Sequence, residues 1–152
     1  MGRTVGFLME ITMKLKLATV LFLGFAVPAF AGETVTLYSN PTCSCCQTYA
    51  DYLKANGYEV KVVLDENYDK VATAAGMPAD GIGCHVAVID GYTMSGFIPV
   101  KFIEKLTTEK PDVSGITLPG MRMDAPDIAE DALKTLKVYA YAPTGVTLYP
   151  VE

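Results

Sequence analysis

The positions of hydrophobic and polar residues predict seven consecutive elements between Thr34 and Glu109. Alternating apolar residues predict strands, and apolar residues three or four positions apart predict helices. In chain order the patterns predict strand 34–39, helix 45–56, strand 58–64, helix 65–75, strands 85–90 and 92–97, and helix 100–109. The resulting order, β-α-β-α-β-β-α, predicts an α/β protein with a thioredoxin-like mixed sheet.

Beyond this core the pattern predicts a C-terminal loop and a second hairpin. Residues 112–126 are rich in Gly and Pro and are predicted to wrap the surface as a loop. Segments 136–141 and 146–149, on either side of Thr144-Gly145, are predicted to form a β-hairpin extension at the edge of the sheet. The pattern assigns no function to this extension.

Residues 1–31 have the pattern of a secretory signal peptide. A basic stretch begins at Met13, which is an alternative start of the chain, and Leu17–Val27 is apolar. Ala29-Phe30-Ala31 then supplies the small residues that a signal peptidase accepts. The apolar run is shorter than the ~20 residues that a membrane span needs. Cleavage after about Ala31 therefore predicts a single soluble domain at 32–152.

The predicted mature domain is acidic. From the twelve basic and seventeen acidic residues of the chain, cleavage removes Arg3, Lys14, Lys16 and Glu10, which leaves nine basic and sixteen acidic residues. A surface that binds nucleic acid needs clustered Lys and Arg to displace counterions from phosphates. The mature sequence has no such cluster, so nucleic acid is excluded as a partner.

All four cysteines and the only histidine fall in two short segments, Cys43-Ser44-Cys45-Cys46 and Cys84-His85. Asn40-Pro41 ends the first strand, so the first segment is predicted at the N-terminus of the following helix. Helix N-termini favour thiolate over thiol. In the predicted sheet the loop after the first strand and the loop before the third strand lie at the same end. We therefore expect the two segments to face each other across a few ångströms.

The residues alone leave three chemical interpretations open. Cys43 and Cys46 have the Cys-x-x-Cys spacing of a thiol–disulfide oxidoreductase, although Cys45 would compete for the disulfide. The even cysteine count is also typical of a small secreted domain held by two ordinary disulfides. The third interpretation is a metal site, because three thiolates opposite Cys84 and His85 form a sulfur-rich bowl. Soft thiolates favour Cu(I), whereas adjacent ligands at Cys45 and Cys46 make a single zinc ion less natural.

Four stretches of sequence resemble the CopG family of bacterial copper-resistance proteins: Tyr38–Cys46, Gly83–Tyr92, Gly96–Pro99 and Leu118–Met121. The resemblance implies a thioredoxin-like fold, a periplasmic location and a cysteine-bridged polynuclear copper site. By position it implies that the thiolate ligands are Cys43, Cys45, Cys46 and Cys84, and that His85 adjoins or completes the site. One departure is Phe97, where many relatives carry histidine.

From residues and resemblance together, the sequence predicts a periplasmic protein that holds Cu(I), more than one ion per chain, for copper resistance or homeostasis. No catalytic residue is predicted. Copper ions are the predicted ligand, and periplasmic copper carriers or exporters are partners by analogy. Met121 and Met123 are candidate thioether ligands, because thioethers are soft, with packing as the alternative role.

Overall fold

The structure is a computed structural model that describes residues 32–120 and 130–151, all within the compact unit Ala31–Glu152. The predicted signal peptide at 1–31, with its alternative start at Met13, lies outside the described residues. So do Met121 and Met123. Among the described helices, none has the length and apolar character needed to cross a membrane.

As far as Glu109 the elements alternate between strand and helix except at the hairpin of two consecutive strands, His85–Ile89 and Tyr92–Ser95. The strands are β1 (Thr34–Ser39), β2 (Glu59–Leu64), β3 (His85–Ile89), β4 (Tyr92–Ser95), β5 (Gly115–Thr117), β6 (Tyr139–Ala142) and β7 (Gly145–Leu148). The helices are α1 (Ser44–Ala55), α2 (Asp69–Ala74) and α3 (Val100–Glu109), with short 3-10 helices at Ala79–Gly81 and Glu130–Thr135. The predicted mixed α/β architecture is confirmed.

The seven described strands form one mixed sheet in the order β2-β1-β3-β4-β5-β6-β7. β1 pairs in parallel with β2 and antiparallel with β3, and β3 continues into β4 as an antiparallel hairpin. A parallel pair needs a crossover, which α1 supplies between β1 and β2. β1 is therefore an internal strand, and its C-terminal end lies between the end of β2 and the start of β3.

The main core lies between the sheet and helices α1 and α3. The buried residues of α1 are Cys46, Tyr49, Ala50 and Leu53, and the buried residues of α3 include Phe102, Ile103 and Leu106. Both sets recur at three- to four-residue spacing, which places them on one face of each helix. Burying each large apolar side chain contributes about 1.5–3 kcal/mol, so this packing fixes α1 against the sheet.

Two predictions about chain segments were wrong in detail. Within the predicted surface loop at 112–126, Gly115–Thr117 forms β5, a fully buried strand that pairs in parallel with β4. Three residues are too few to show a strand alternation. The second helix begins at Asp69 instead of Asp65, because Asp65 accepts a hydrogen bond from the Asn67 backbone N–H at 2.8 Å and forms a turn.

The C-terminal hairpin extends the sheet as predicted. β6 pairs with β5, and β7 pairs with β6 to become the edge strand. Gly145 opens β7 with a φ of +134°, a backbone conformation that favours glycine. The extension thus makes β5 an internal strand, with β4 and β6 as its neighbours.

Candidate metal centre

The first cysteine segment lies on the turn that leads from β1 into α1. The backbone carbonyl of Asn40 accepts a hydrogen bond from the Cys43 N–H at 3.0 Å, and its side-chain oxygen accepts one from the Thr42 N–H at 2.9 Å. Cys43 is the N-cap residue of α1, with φ −87° and ψ 98°. Cys45 and Cys46 follow in the first helical turn. The predicted position of these cysteines at a helix N-terminus is confirmed.

The second segment lies where β3 begins. β3 runs antiparallel to β1, and Ser39, the last residue of β1, lies opposite His85. Cys84 immediately precedes that pair. The sheet therefore brings the residue before β3 next to the turn after β1, although the two segments are about forty positions apart in the chain.

Four sulfur atoms converge at this point. Cys45 Sγ lies 2.9 Å from Cys43 Sγ and 3.4 Å from Cys84 Sγ, and Cys46 Sγ lies 3.6 Å from Cys84 Sγ. All four lie within 4.8 Å of one another. Two sulfurs bound to one metal ion at about 2.3 Å are at most about 4.6 Å apart. The contacts to Cys84 are thus in the range that a shared ion needs.

Two of the four sulfurs are covalently joined. Cys43 and Cys46 form a disulfide, whereas Cys45 and Cys84 are free thiols. This is the pair that the Cys-x-x-Cys spacing offered to thiol–disulfide chemistry. The interpretation of two structural disulfides is wrong for this structure, because Cys45 and Cys84 are not joined.

Cys84 is held as a thiol when no metal is bound. Burial, followed by the hydrogen bond and the charge of Cys45, raises the pKa of Cys84 to about 11. Metal ligands must be deprotonated, so a metal that binds here displaces the Cys84 proton. The site is therefore neutral at this sulfur until a cation arrives.

The imidazole of His85 is buried, with 1% of its surface exposed. Its Nε2 lies 3.1 Å from the backbone carbonyl of Gly96, which can only accept a hydrogen bond. Nε2 therefore carries the proton, and the lone pair of Nδ1 is left 3.7 Å from Cys84 Sγ. Burial lowers the pKa of His85 to about 4. His85 is neutral at physiological pH and does not belong to the four-sulfur group.

Two aromatic side chains fix the plane of that imidazole. The Tyr49 ring stacks on His85 with centroids 4.8 Å apart, and the Phe97 ring meets it edge-on at 5.5 Å. The Tyr49 hydroxyl donates to the backbone carbonyl of Ile98 at 3.0 Å. Phe97 stands at the position where many members of the resembling family carry histidine. In this chain its ring packs against His85.

Ser95 is a supporting residue that the sequence analysis missed. Its hydroxyl donates to the backbone carbonyl of His85 and accepts from the backbone N–H of Gly83, both at 2.8 Å. One side chain thereby ties the chain on both sides of Cys84 to β4. A serine within a predicted strand carries no signal for this role, because both of its partners are distant in sequence.

Tyr68, beside α2, was also missed. Burial, followed by the neighbouring Cys84, raises the pKa of its phenol. Tyr68 is thus an electrostatic neighbour of Cys84. The polar turn at 65–68 gave no reason to expect an aromatic neighbour of the cysteines.

The site and the fold define a mixed α/β protein with a thiol-rich centre at one end of its sheet. Residues 81–127 match a family described as "Protein of unknown function, DUF411". No curated protein gives a significant match. The solved structures include two forms named "Copper resistance protein copG". Form 1 is 26% identical, covers 79% of this chain and 99% of its own, and has a TM-score of 0.66. Form 2 is also 26% identical, covers 78% and 96%, and has a TM-score of 0.67.

These matches confirm that the chain is CopG-like, as its motifs predicted. The family match includes Cys84-His85 but begins after the first cysteine segment. The structural matches extend over most of the unit that carries both segments.

Proposed function

We propose that this protein binds copper as Cu(I) and acts in copper resistance or homeostasis. The observation that carries the proposal is the convergence of four cysteine sulfurs within 4.8 Å from two segments that the sheet brings together. Soft thiolates favour Cu(I) over hard cations such as Mg²⁺ and Ca²⁺. The similarity to structures named for copper resistance supports copper as the ion.

The ligand set is Cys43, Cys45, Cys46 and Cys84, and it holds more than one ion. Thiolate sulfur can bridge two metal ions, and the short Sγ–Sγ distances leave little room for separate mononuclear sites. Zinc is the less favoured ion, because a closed tetrahedral site would need Cys45 and Cys46, adjacent in the chain, to bind one ion.

His85 adjoins the thiolates and completes the site through Nδ1. The Gly96 carbonyl fixes the tautomer that leaves Nδ1 unprotonated, and a hydrogen bond on the far nitrogen is how proteins orient histidine ligands. Nδ1 faces Cys84 Sγ at 3.7 Å, so its lone pair would be available to an ion held by that thiolate.

The remaining features of the proposal follow from sequence and topology. The signal-like segment at 1–31 supports export to the periplasm, and the resemblance supports copper carriers or exporters as partners. The strand order β2-β1-β3-β4 with α1 and α3 on the core fits a thioredoxin-like description. The alternative, an oxidoreductase using Cys43 and Cys46, draws support from their disulfide. It leaves Cys45 and Cys84 without a role.

The test is copper binding by the fully reduced protein under anaerobic conditions. Cu(I) is titrated against a competing chelator, and bound copper is counted by mass spectrometry. We expect two or more ions per chain, and we expect Cys45→Ser to lower that number. Ser44→Ala is the matched control, because Ser44 is exposed between the cysteines and should leave the copper number unchanged. Equal copper content in Cys45→Ser and in the unmodified chain would refute the proposal.

A further inference from the structure

We propose that the Cys43–Cys46 disulfide closes this centre to copper, and that a dithiol reductant opens it by attacking Cys43 Sγ. The inference rests on the proposed copper function and concerns its regulation and its partner. It starts from one fact about the structure: the same four sulfurs that form the group include one disulfide and two free thiols.

A disulfide and a four-thiolate site are mutually exclusive states of these sulfurs. The thiolate is the form of cysteine that binds metal, and the two sulfurs of a disulfide carry no thiolate charge. In the oxidised chain only Cys45 and Cys84 are available, with their sulfurs 3.4 Å apart. Half of the donor set is thereby withheld from copper.

Rearrangement within the chain cannot restore the missing thiolates. Attack by Cys45 or Cys84 on the disulfide would form a new disulfide as it breaks the old one. The number of thiols therefore stays at two, whichever sulfurs are paired. The four-thiolate state requires two electrons and two protons from outside, which a dithiol supplies as it becomes a disulfide.

The two ends of the disulfide differ in access. Cys46 is 2% exposed and belongs to the buried face of α1. Cys43 is half-buried on the turn, and its neighbours Thr42 and Ser44 are exposed. An incoming thiolate can therefore reach Cys43 Sγ and is shielded from Cys46 Sγ.

The exchange balances in two steps. The first thiolate of the reductant bonds to Cys43 Sγ, the Cys43–Cys46 bond breaks, and its electron pair leaves on Cys46 Sγ in the first turn of α1, where the helix dipole favours negative charge. The second thiol of the reductant then attacks the mixed disulfide and releases Cys43. The partner leaves oxidised, and all four cysteines are free.

The decisive experiment compares the oxidised and reduced forms of the full chain. Both are prepared anaerobically, their free thiols are counted by alkylation and mass spectrometry, and Cu(I) is titrated into each against the chelator bathocuproine disulfonate. We expect the reduced form to bind Cu(I) at least 100-fold more tightly. We also expect the oxidised form to keep two free thiols before and after copper addition.

Three outcomes of that experiment would overturn the inference in distinguishable ways. Oxidised and reduced forms that bind within threefold of each other would refute the closing role of the disulfide and leave the copper function standing. A reduced form that does not bind Cu(I) would refute the copper function itself. New thiols after copper addition would also refute the inference, because copper would then be the reductant.

Two variants test whether the Cys43–Cys46 disulfide is the one that controls copper binding. Cys84→Ser keeps the Cys43–Cys46 pair, so reduction should still increase its weaker copper binding. Cys43→Ser cannot form that disulfide, and its copper binding should change less than threefold with dithiol. A 100-fold gain on reduction of Cys43→Ser would contradict the inference.

The point of attack is tested with glutathione as a monothiol probe. The oxidised chain is treated briefly, quenched in acid, and digested so that the mixed disulfide can be located by peptide mass. We expect glutathione on Cys43. Glutathione on Cys46 would refute the proposed direction of attack.

Discussion

The two halves of the sulfur group are held in different ways. The segment of Cys43 to Cys46 is fixed on a partly exposed turn by short-range hydrogen bonds that the backbone and side-chain oxygens of Asn40 accept. The segment of Cys84 and His85 is fixed by buried contacts with residues that are distant in sequence, among them Tyr49 and Ser95. The segment that contains the disulfide is thus held by contacts between residues close in sequence. The segment that supplies the fourth sulfur, Cys84, is held by contacts that form only when the whole domain is folded.

This difference implies a ranking of perturbations. A change at the buried half removes packing and buried hydrogen bonds, which carry large free energies. A change at the turn removes hydrogen bonds that water can replace. The following four perturbations, three substitutions and one change of pH, are ordered from the largest expected effect on the free energy of unfolding to the smallest.

Removing the aromatic ring beneath the imidazole should be the most damaging change. Tyr49 is fully buried, so we expect Tyr49→Ala to lower the free energy of unfolding by about 3–5 kcal/mol, as for other buried aromatic truncations. Urea denaturation of the reduced, metal-free protein measures it. Tyr49→Phe is the control and should lose about 1 kcal/mol, since it removes one hydrogen bond and keeps the ring. A loss below 1 kcal/mol in Tyr49→Ala would refute the ranking.

Acid should destabilise the metal-free protein through His85. Its pKa is about 4 in the folded chain and about 6.5 when unfolded, so between these values the unfolded chain binds the proton and the folded chain does not. Stability is therefore full above pH 6.5 and falls as the pH drops towards 4, by up to about 3 kcal/mol.

The measurement is urea denaturation across that pH range in the unmodified chain and in His85→Phe. The variant keeps an aromatic ring but cannot titrate, so its stability should fall less. The unmodified chain and His85→Phe contain the same carboxylates. The difference between their stability profiles against pH therefore reports the contribution of His85. Parallel profiles between pH 6.5 and 4 would contradict the burial of a neutral imidazole.

Ser95→Ala should loosen Cys84 without unfolding the protein. The variant loses the hydrogen bonds to Gly83 and His85, for which we expect a loss of about 1–3 kcal/mol in stability. We expect Cu(I) binding by the reduced protein to weaken about tenfold, as for other residues that orient metal ligands. Thr107→Ala, which removes a hydroxyl bonded within α3, is the control. Equal Cu(I) affinities of Ser95→Ala and the unmodified chain would argue against a positioning role.

Asn40→Ala should have the smallest effect. Its side-chain oxygen accepts from the Thr42 N–H and hydroxyl at 2.9 and 2.8 Å, in exposed surroundings. Water can replace both contacts, so we expect a loss of about 0.5–1 kcal/mol in urea denaturation. A loss larger than that of Ser95→Ala would reverse the comparison between the two halves.

The sequence was sufficient for the parts of the fold that repeat a pattern. β1 and α3 have the predicted bounds, because six alternating residues and a three-turn apolar face are strong signals. β5 was not predictable, since Gly115–Thr117 becomes a strand only through its partners β4 and β6. Tertiary pairing, which no local pattern encodes, decides such a segment.

The candidate site likewise has a part that the sequence could predict and a part that it could not. That Cys84 would face Cys43 to Cys46 followed from topology, because the end of β1 and the start of β3 must adjoin. The sequence could not say which cysteines would pair, since all four sulfurs converge and several pairings are within reach. Nor could it identify Ser95, whose partners are backbone groups ten or more residues away.

The placement of β5 sets an order of events as the chain is made. The hydroxyl of Thr117 donates to the carbonyl of Gly81, just before Cys84, and so ties the second cysteine segment to β5. Ribosomes and export channels deliver a chain from its N-terminus, so every cysteine emerges before this tie can form. In that interval the thiols lack the support that this hydrogen bond gives to the second cysteine segment in the folded domain. A newly delivered chain thus depends on residues beyond its last cysteine to complete the surroundings of its sulfurs.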